Sequence, residues 1–373
     1  MHIGFDGKRL IKNFTGLGNY SRYVVGLLRK SFPGNRLVIY SPVTPAASLP
    51  GNLAGTVVRT PSVRAGRSLW RSFGIIKALK RDNLDLYHGL SNEIPFGMAS
   101  SGIASVVTIH DLIFLKFPSY YPYIDRMIYQ FKVRYACKAA NRIIAISEQS
   151  KRDITSFLGT PAEKIEVVYM NCDPIFKKLW TPEEKSSLTA KYGLPARFLL
   201  NVGTIEERKN LLLLVKALPL VDKNVHLVVI GKTTPYTELV RQHIRENRLE
   251  ARVHFLKNVP FADLPGIYQL ADIFIYPSRY EGFGIPVVEA IQSQVPVIAA
   301  TGSCLEEAGG PGALYTDPDN FPQLAELINL VINNPGKRAE MIEMGKKHVE
   351  NFEDDRIAGR IMEVYQKAIN DVK

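Results

Sequence analysis

Along the whole chain, short β-branched apolar runs alternate with longer amphipathic ones. In the first half, strands are predicted at 2–6, 36–40, 57–60, 84–88, 105–110, 142–147 and 165–170. Helices are predicted at 19–29, 67–81, 123–139 and 147–158. The second half repeats the pattern, with strands at 198–202, 226–230, 253–256, 273–276 and 297–300. Its helices are expected at 211–220, 237–248, 260–270, 287–293 and 323–332, and 354–373 reads as a last one. Near-continuous apolar strands separated by helices predict an α/β chain with parallel sheets covered on both faces. Two such series predict two Rossmann-like domains. The stretch 173–196 is interrupted by Pro174, Pro182 and Pro195 and marks the break. We place the first domain at 1–176, the second at 177–353, and a terminal helix at 354–373.

The length of 373 residues agrees with two domains, and 46% hydrophobic content excludes a disordered chain. Cys137, Cys172 and Cys304 are widely spaced, which indicates neither a disulfide framework nor a zinc site. No apolar run approaches the roughly 20 residues that span a bilayer. The N-terminus is already strand-like, with no signal peptide before it, so a cytoplasmic protein is expected. Charge is unevenly spread. Residues 1–176 carry 23 Lys/Arg against 11 Asp/Glu, and residues 177–373 carry 24 against 25. The excess in the first half points to an anionic partner, a membrane surface or a polyanion.

In open α/β sheets ligands sit beyond the carboxyl ends of the strands, and with two domains the expected place is the cleft between them. Glu281-Gly-Phe-Gly-Ile-Pro-Val-Val-Glu289 follows the strand 273–276 and opens a helix. Its glycines let a ligand approach the backbone, Pro286 suits a first helical turn, and a helix N-terminus attracts anions. As continuous helix the two glutamates would lie about 12 Å apart. That exceeds the roughly 5–9.5 Å of paired glycosidase carboxylates, so they read as two hydroxyl-gripping groups flanking a phosphate. Gly203, Arg208 and Lys209 follow the strand 198–202 and precede a helix. Cations there oppose the helix dipole, and a diphosphate would resolve the conflict. Thr15-Gly16-Leu17-Gly18-Asn19 reads as a phosphate loop or as an ordinary helix entry. The pair His110-Asp111 ends a buried strand, where His110 could donate to a sugar hydroxyl or a leaving phosphate, or be a structural histidine. The stretch 64–81 places Leu69, Phe73 and Ile76 on one stripe among Arg and Lys. It reads as a helix lying in lipid headgroups or as one packing on its sheet. The aromatic tract 117–123 could shape an acceptor site.

Together these residues resemble glycosyltransferase family 4, retaining nucleotide-sugar transferases of GT-B fold. The likeness rests on Glu281 to Glu289 with Tyr276-Pro277-Ser278 before it, on the loop 15–20, on Ile144–Glu148 and on Val168–Asp173. The usual hinge sequence N-G-V-D is here shortened to Asn171-Cys172-Asp173. The resemblance implies two Rossmann-like domains facing across a cleft, with the C-terminal helix returning to the first. It implies that Glu289 binds the donor ribose, that Arg208 and Lys209 neutralise the diphosphate, and that Gly203 shares this turn. Glu281, Phe283, Gly284 and Ile285 would position the donor sugar and phosphates. His110 would contact the sugar or its phosphate, Gly16 and Gly18 would close over the ligands, and the base would rest near Leu256–Val259. No metal or other cofactor is implied, and no nucleic-acid partner is expected.

The expected reaction is transfer of a hexose from GDP-mannose or a UDP-sugar to a saccharide. The basic first domain argues for a lipid-linked acceptor at the inner face of the plasma membrane, in polysaccharide or lipopolysaccharide assembly. Three alternatives stay open: a glycosyltransferase acting on a sugar phosphate, a non-hydrolysing epimerase, and a non-catalytic basic protein that binds membrane or nucleic acid. A dinucleotide dehydrogenase is disfavoured, because neither domain has G-x-G-x-x-G after its first strand.

Overall fold

The computed structural model describes residues 1–13, 16–45, 49, 51–61, 66 and 69–372. The chain forms two compact units, Met1–Met170 with Phe352–Lys373, and Asn171–Asn351.

The first unit is built on seven parallel strands: β1 (His2–Asp6), β2 (Arg36–Tyr40), β3 (Val57–Arg59), β4 (Leu86–Gly89), β5 (Ala104–Ile109), β6 (Arg142–Ala145) and β7 (Ile165–Val167). Their order is β3-β2-β1-β4-β5-β6-β7. Phe5 of β1 lies beside Ile39 on one side and His88 on the other. Every residue of β4 and β5 is buried, as expected of strands covered on both faces. The second unit has six: β8 (Phe198–Val202), β9 (His226–Ile230), β10 (Val253–Leu256), β11 (Ile273–Tyr276), β12 (Val297–Ala300) and β13 (Leu314–Thr316). Their order is β10-β9-β8-β11-β12-β13, all parallel. In each sheet the chain winds outward in one direction and then in the other. The reversal falls between β1 and β4, and between β8 and β11.

The helix Asp354–Asn370 packs on β4, β5 and the helix Gly16–Ser31. It buries Ile357, Ile361, Val364 and Tyr365 in the first unit. Tyr365 and Thr108 bond the two ring nitrogens of His88 at 2.7 and 2.8 Å. Tyr20 continues the chain to Thr108 at 2.9 Å. These buried polar groups satisfy one another, which is the condition for burying them at all.

Pro182 does not interrupt the chain as its sequence suggested. Thr181 caps the helix Pro182–Tyr192 through a reciprocal pair with Glu184, at 3.2 and 2.8 Å, and Gly193 closes it left-handed. Pro335 likewise opens the helix Pro335–Val349 behind its cap Asn334. The expected helix at 67–81 is a π-helical segment, Trp70–Gly74, followed by an α-helix, Ile75–Arg81. Ile75 and Leu79 are buried and Ile76 packs on the core, whereas Leu69 and Phe73 face solvent. The basic residues Arg64 and Arg67 of that stretch lie outside the described residues, as does Thr15.

Candidate functional site

In the second unit, the candidate residues of the loops after β8 and β11 gather where the strand order reverses. β8 and β11 are neighbours, so the loops that follow them lie side by side at their carboxyl ends. After β8 the backbone turns at Gly203, with φ at 149°. A Cβ on Gly231, past β9, would lie 1.7 Å from the Gly203 carbonyl oxygen, so the two turns cross at backbone contact. A short 3-10 turn, Glu207–Lys209, then carries both cations. Asn210, left-handed at φ 58°, ties this turn to the other loop by donating to the carbonyls of Pro277 (3.2 Å) and Pro318 (2.7 Å).

After β11 the loop reaches Gly284 at φ 112°, where the helix Ile285–Gln292 begins with no side-chain cap. A Cβ on Gly284 would meet Leu305 Cδ2 at 2.7 Å, so both conformation and packing demand glycine. The start of this helix carries the positive end of its dipole, while the Val287 N–H is already given to the Gly284 carbonyl at 2.9 Å. Pro286, within that turn, has no N–H to lose.

Glu281 sits between the two loops. One carboxylate oxygen accepts from Lys209 Nζ at 2.5 Å and Ser278 Oγ at 2.6 Å, with the Tyr276 hydroxyl at 3.2 Å. The other pairs with Arg208 at 2.9 Å. Burial works against the charge on Glu281, but Lys209 and Arg208 outweigh it and hold its pKa down at about 2. Burial also opposes the charge on Arg208, and Glu281 and Glu206 overcome it, so its pKa is raised. The guanidinium also donates to the Tyr280 carbonyl and to Glu206, the latter at 2.7 Å. The sequence had left the counter-charge of Arg208 and Lys209 to a diphosphate. In the structure Glu281 supplies part of it, with Glu206 also on Arg208, so Glu281 braces both cations.

Glu289 is placed differently. It lies in the helix and accepts from the Tyr268 hydroxyl at 3.0 Å. Burial raises its pKa to about 7, the Tyr268 bond opposes this, and the nearby charge of Asp173 adds to it. Spacing alone could not have separated these two glutamates: one is ionised by its neighbours and the other is held near neutrality. Phe283 is buried under the turn and Ile285 is the first residue of the helix. Leu256 ends β10 at the sheet edge, and Val259 follows just past the left-handed Asn258.

In the first unit, His110 follows β5 and is buried. Its Nε2 lies 2.9 Å from the Leu90 carbonyl, which can only accept, so Nε2 carries the proton. Burial drops its pKa to about 4, against the pull of that carbonyl, so the ring is neutral near pH 7 and Nδ1 is an acceptor. The donor role expected from sequence therefore does not hold at Nε2. A ligand hydroxyl would have to donate to Nδ1. Gly16 and Gly18 lie within the first turns of the helix Gly16–Ser31, not in a loop ahead of it. A Cβ on Gly18 would sit 1.7 Å from the Asn13 carbonyl oxygen, while one on Gly16 would meet nothing within 4 Å among the described residues. Tyr20 of this helix packs edge-on against His110, with ring centroids 4.6 Å apart, and so joins the glycine turn to the histidine.

Sequence reading passed over three supporting groups. Ser278 and Tyr276 fix Glu281. Cys304 is buried with its sulfur 3.1 Å from the carbonyls of Glu281 and Phe283. Only the family likeness of Tyr276-Pro277-Ser278 hinted at the first two, and nothing local marks Cys304.

Residues 187–348 match the family model for glycosyl transferases group 1, and residues 14–174 match that for Glycosyltransferase Family 4. The O-antigen chain mannosyltransferase B of Escherichia coli is 26% identical, covering 98% of this chain and 100% of its own. The O-antigen chain mannosyltransferase RfbU of Salmonella typhimurium is also 26% identical, covering 84% and 86%. Among solved structures, Anabaena Alr3699/HepE in complex with UDP and glucose superposes with a TM-score of 0.76 at 21% identity, covering 97% of this chain and 98% of that one.

Proposed function

The chain belongs to glycosyltransferase family 4, a hexosyltransferase family of GT-B fold, and we propose that it moves mannose from GDP-mannose to a saccharide of a lipid-linked surface glycan. The observation that carries this reading is the cation pair Arg208 and Lys209, pinned at the reversal point of the second sheet opposite an uncapped helix start. A strand-order reversal is where such sheets bind nucleotides. Fixed cations with a helix dipole suit a departing diphosphate.

On this reading the bond from the anomeric carbon to the diphosphate breaks, and the acceptor hydroxyl oxygen bonds to that carbon with retention. The hydroxyl proton leaves with the diphosphate. Arg208 and Lys209 hold the negative charge that develops on the leaving group. Glu289 accepts from the ribose hydroxyls, and the backbone near Leu256–Val259 faces the base. His110 Nδ1 accepts from a sugar hydroxyl. Mannose is chosen over glucose because the two O-antigen relatives are named mannosyltransferases. Their names also support surface-polysaccharide assembly.

The test is donor turnover by purified protein, with GDP-mannose and UDP-glucose as rival donors. We expect GDP-mannose to be consumed, with kcat/KM falling about 100-fold or more in Lys209→Ala. Unchanged turnover in both Lys209→Ala and Glu289→Ala would overturn the site. Preference for UDP-glucose would overturn the donor.

A further inference from the structure

Four polar side chains lie inside the first unit, where the helix Asp354–Asn370 packs on β4, β5 and the helix Gly16–Ser31. His88 of β4, Thr108 of β5 and Tyr365 of the last helix are 0% exposed, and Tyr20 is 2% exposed. They form one line, Tyr365–His88–Thr108–Tyr20, joined at 2.7, 2.8 and 2.9 Å. Burial drops the pKa of His88 to about 3, and the nearby His110 adds to the effect, so the ring is neutral. A neutral imidazole has one N–H, so His88 donates to one of its two hydroxyl partners and accepts from the other. Holding a helix on a sheet does not require such a line. Apolar side chains of the same shapes would fill the space with no polar group to desolvate, and such replacements are often neutral or stabilising.

The line ends against His110. The Tyr20 ring packs at right angles to the imidazole, with centroids 4.6 Å apart and planes at 86°. The backbone of His110 is held from two other sides. Its N–H donates to Asn92 Oδ1 at 2.8 Å, and its carbonyl accepts from Ser150 Oγ at 3.1 Å. Asn92 in turn donates its own N–H to the Thr108 carbonyl at 2.9 Å. Thr108 therefore serves the line with its side chain and the mount of His110 with its backbone. The imidazole itself makes one hydrogen bond among the described residues, from Nε2 to the Leu90 carbonyl. A single bond fixes how far the ring reaches but leaves it free to tilt, and the Tyr20 ring is the stop against that tilt.

We propose that Tyr20 and Tyr365 are positioning residues for His110: the buried line seats the Tyr20 ring, and that ring sets the angle at which His110 Nδ1 meets the donor sugar. This rests on the role of His110 in the proposed transfer. Neither tyrosine touches the sugar on this account. The last helix acts on the reaction through the core of its own unit, by way of His88 and Thr108. Misplacing a group that orients the reacting sugar costs mainly in the chemical step, because the ground-state contacts that bind the donor are left in place.

The test is steady-state kinetics of the full chain, with whichever of GDP-mannose and UDP-glucose the parent consumes, below the melting temperature of every variant. Tyr365→Phe and Thr108→Val each remove one hydroxyl and keep the shape. Each should lower kcat about tenfold while the donor KM stays within about twofold. Thr108→Ser restores the hydroxyl and should recover most of the loss. In a His110→Ala background, adding Tyr365→Phe should change kcat by less than about twofold, because the two act as one unit. Histidine ring NMR of the ligand-free chain gives a second readout: the His110 signals, assigned by their loss in His110→Ala, should move in Tyr365→Phe. A full further loss in the His110→Ala background would overturn the proposal, since the line would then be merely structural. So would parent kcat in Tyr365→Phe, or His110 signals that do not move. Parent kcat in His110→Ala would instead overturn the sugar contact of His110, and this inference with it.

Discussion

Glu289→Gln separates stability from function at one position. In the folded chain the Glu289 carboxyl ionises near pH 7, against 4.5 as its ordinary value, because burial disfavours its charge. A raised pKa means that the folded state holds the proton more tightly than the unfolded one. Its contribution to stability is full below the unfolded pKa and is lost as pH rises through the folded pKa. Each pKa unit corresponds to about 1.36 kcal/mol, and partial exposure reduces the total to about 2 kcal/mol. Glutamine is neutral throughout and keeps an oxygen for the Tyr268 hydroxyl. The variant should therefore be more stable by about 2 kcal/mol near pH 8, raising Tm by about 4–8 °C, and should match the parent near pH 4. On the proposed reading, where the Glu289 carboxylate accepts from ribose hydroxyls, the same variant should lose nucleoside-diphosphate binding. Scanning calorimetry of both proteins across this pH range, with a nucleotide titration at its upper end, provides the check. An equal Tm difference at both ends of the range, or a destabilised variant at high pH, would refute the reasoning.

Glu281→Gln leaves Arg208 and Lys209 without their shared carboxylate, and should cost about 3–5 kcal/mol in urea unfolding. Added pyrophosphate should restore part of the loss, and a variant as stable as the parent without it would count against the bracing role. Gly284→Ala places a Cβ 2.7 Å from Leu305 at a φ of 112°. The strain should cost about 1–3 kcal/mol in unfolding experiments and raise the donor KM, and a neutral change in both would show that the turn relaxes freely.

The strands were legible because they are buried on both faces, so their apolar runs carry no competing signal. β13 was not, being three residues long at a sheet edge and preceded by Gly310-Pro311-Gly312. The helix starting at Pro182 was missed because its proline was read as a breaker, and the one starting at Pro335 was not predicted. In both cases the preceding Thr181 or Asn334 is a cap, which turns the same proline into a start. At the site, Arg208, Lys209 and Glu281 were all named from sequence, but not as partners. Glu281 lies more than 70 residues from the two cations in sequence. Their meeting depends on β11 returning to pair with β8 after β9 and β10 have been laid on the other side. That order is a property of the sheet, and no local pattern encodes it. The tautomer of His110 was hidden for the same reason, since it is set by the Leu90 carbonyl beyond the neighbouring strand β4.

On the proposed reading, the pairing of Glu281 with both cations changes what the site does for a leaving group. Unpaired cations would bind a ground-state diphosphate strongly and gain little more as its charge grew. Here Glu281, with Glu206 on Arg208, offsets the positive charge beforehand, so attraction for the intact donor is weakened. Its geometry is meanwhile fixed by Ser278, Tyr276, Tyr280 and the Asn210 tie between the loops. Lys209 spends two N–H groups on Tyr276 and Glu281, which by count leaves a third for a phosphate oxygen. Only interactions that strengthen as the bond breaks accelerate the chemical step. A cation held still by a protein carboxylate meets that requirement, because the charge arriving on the diphosphate finds a donor already oriented and need not reorganise it.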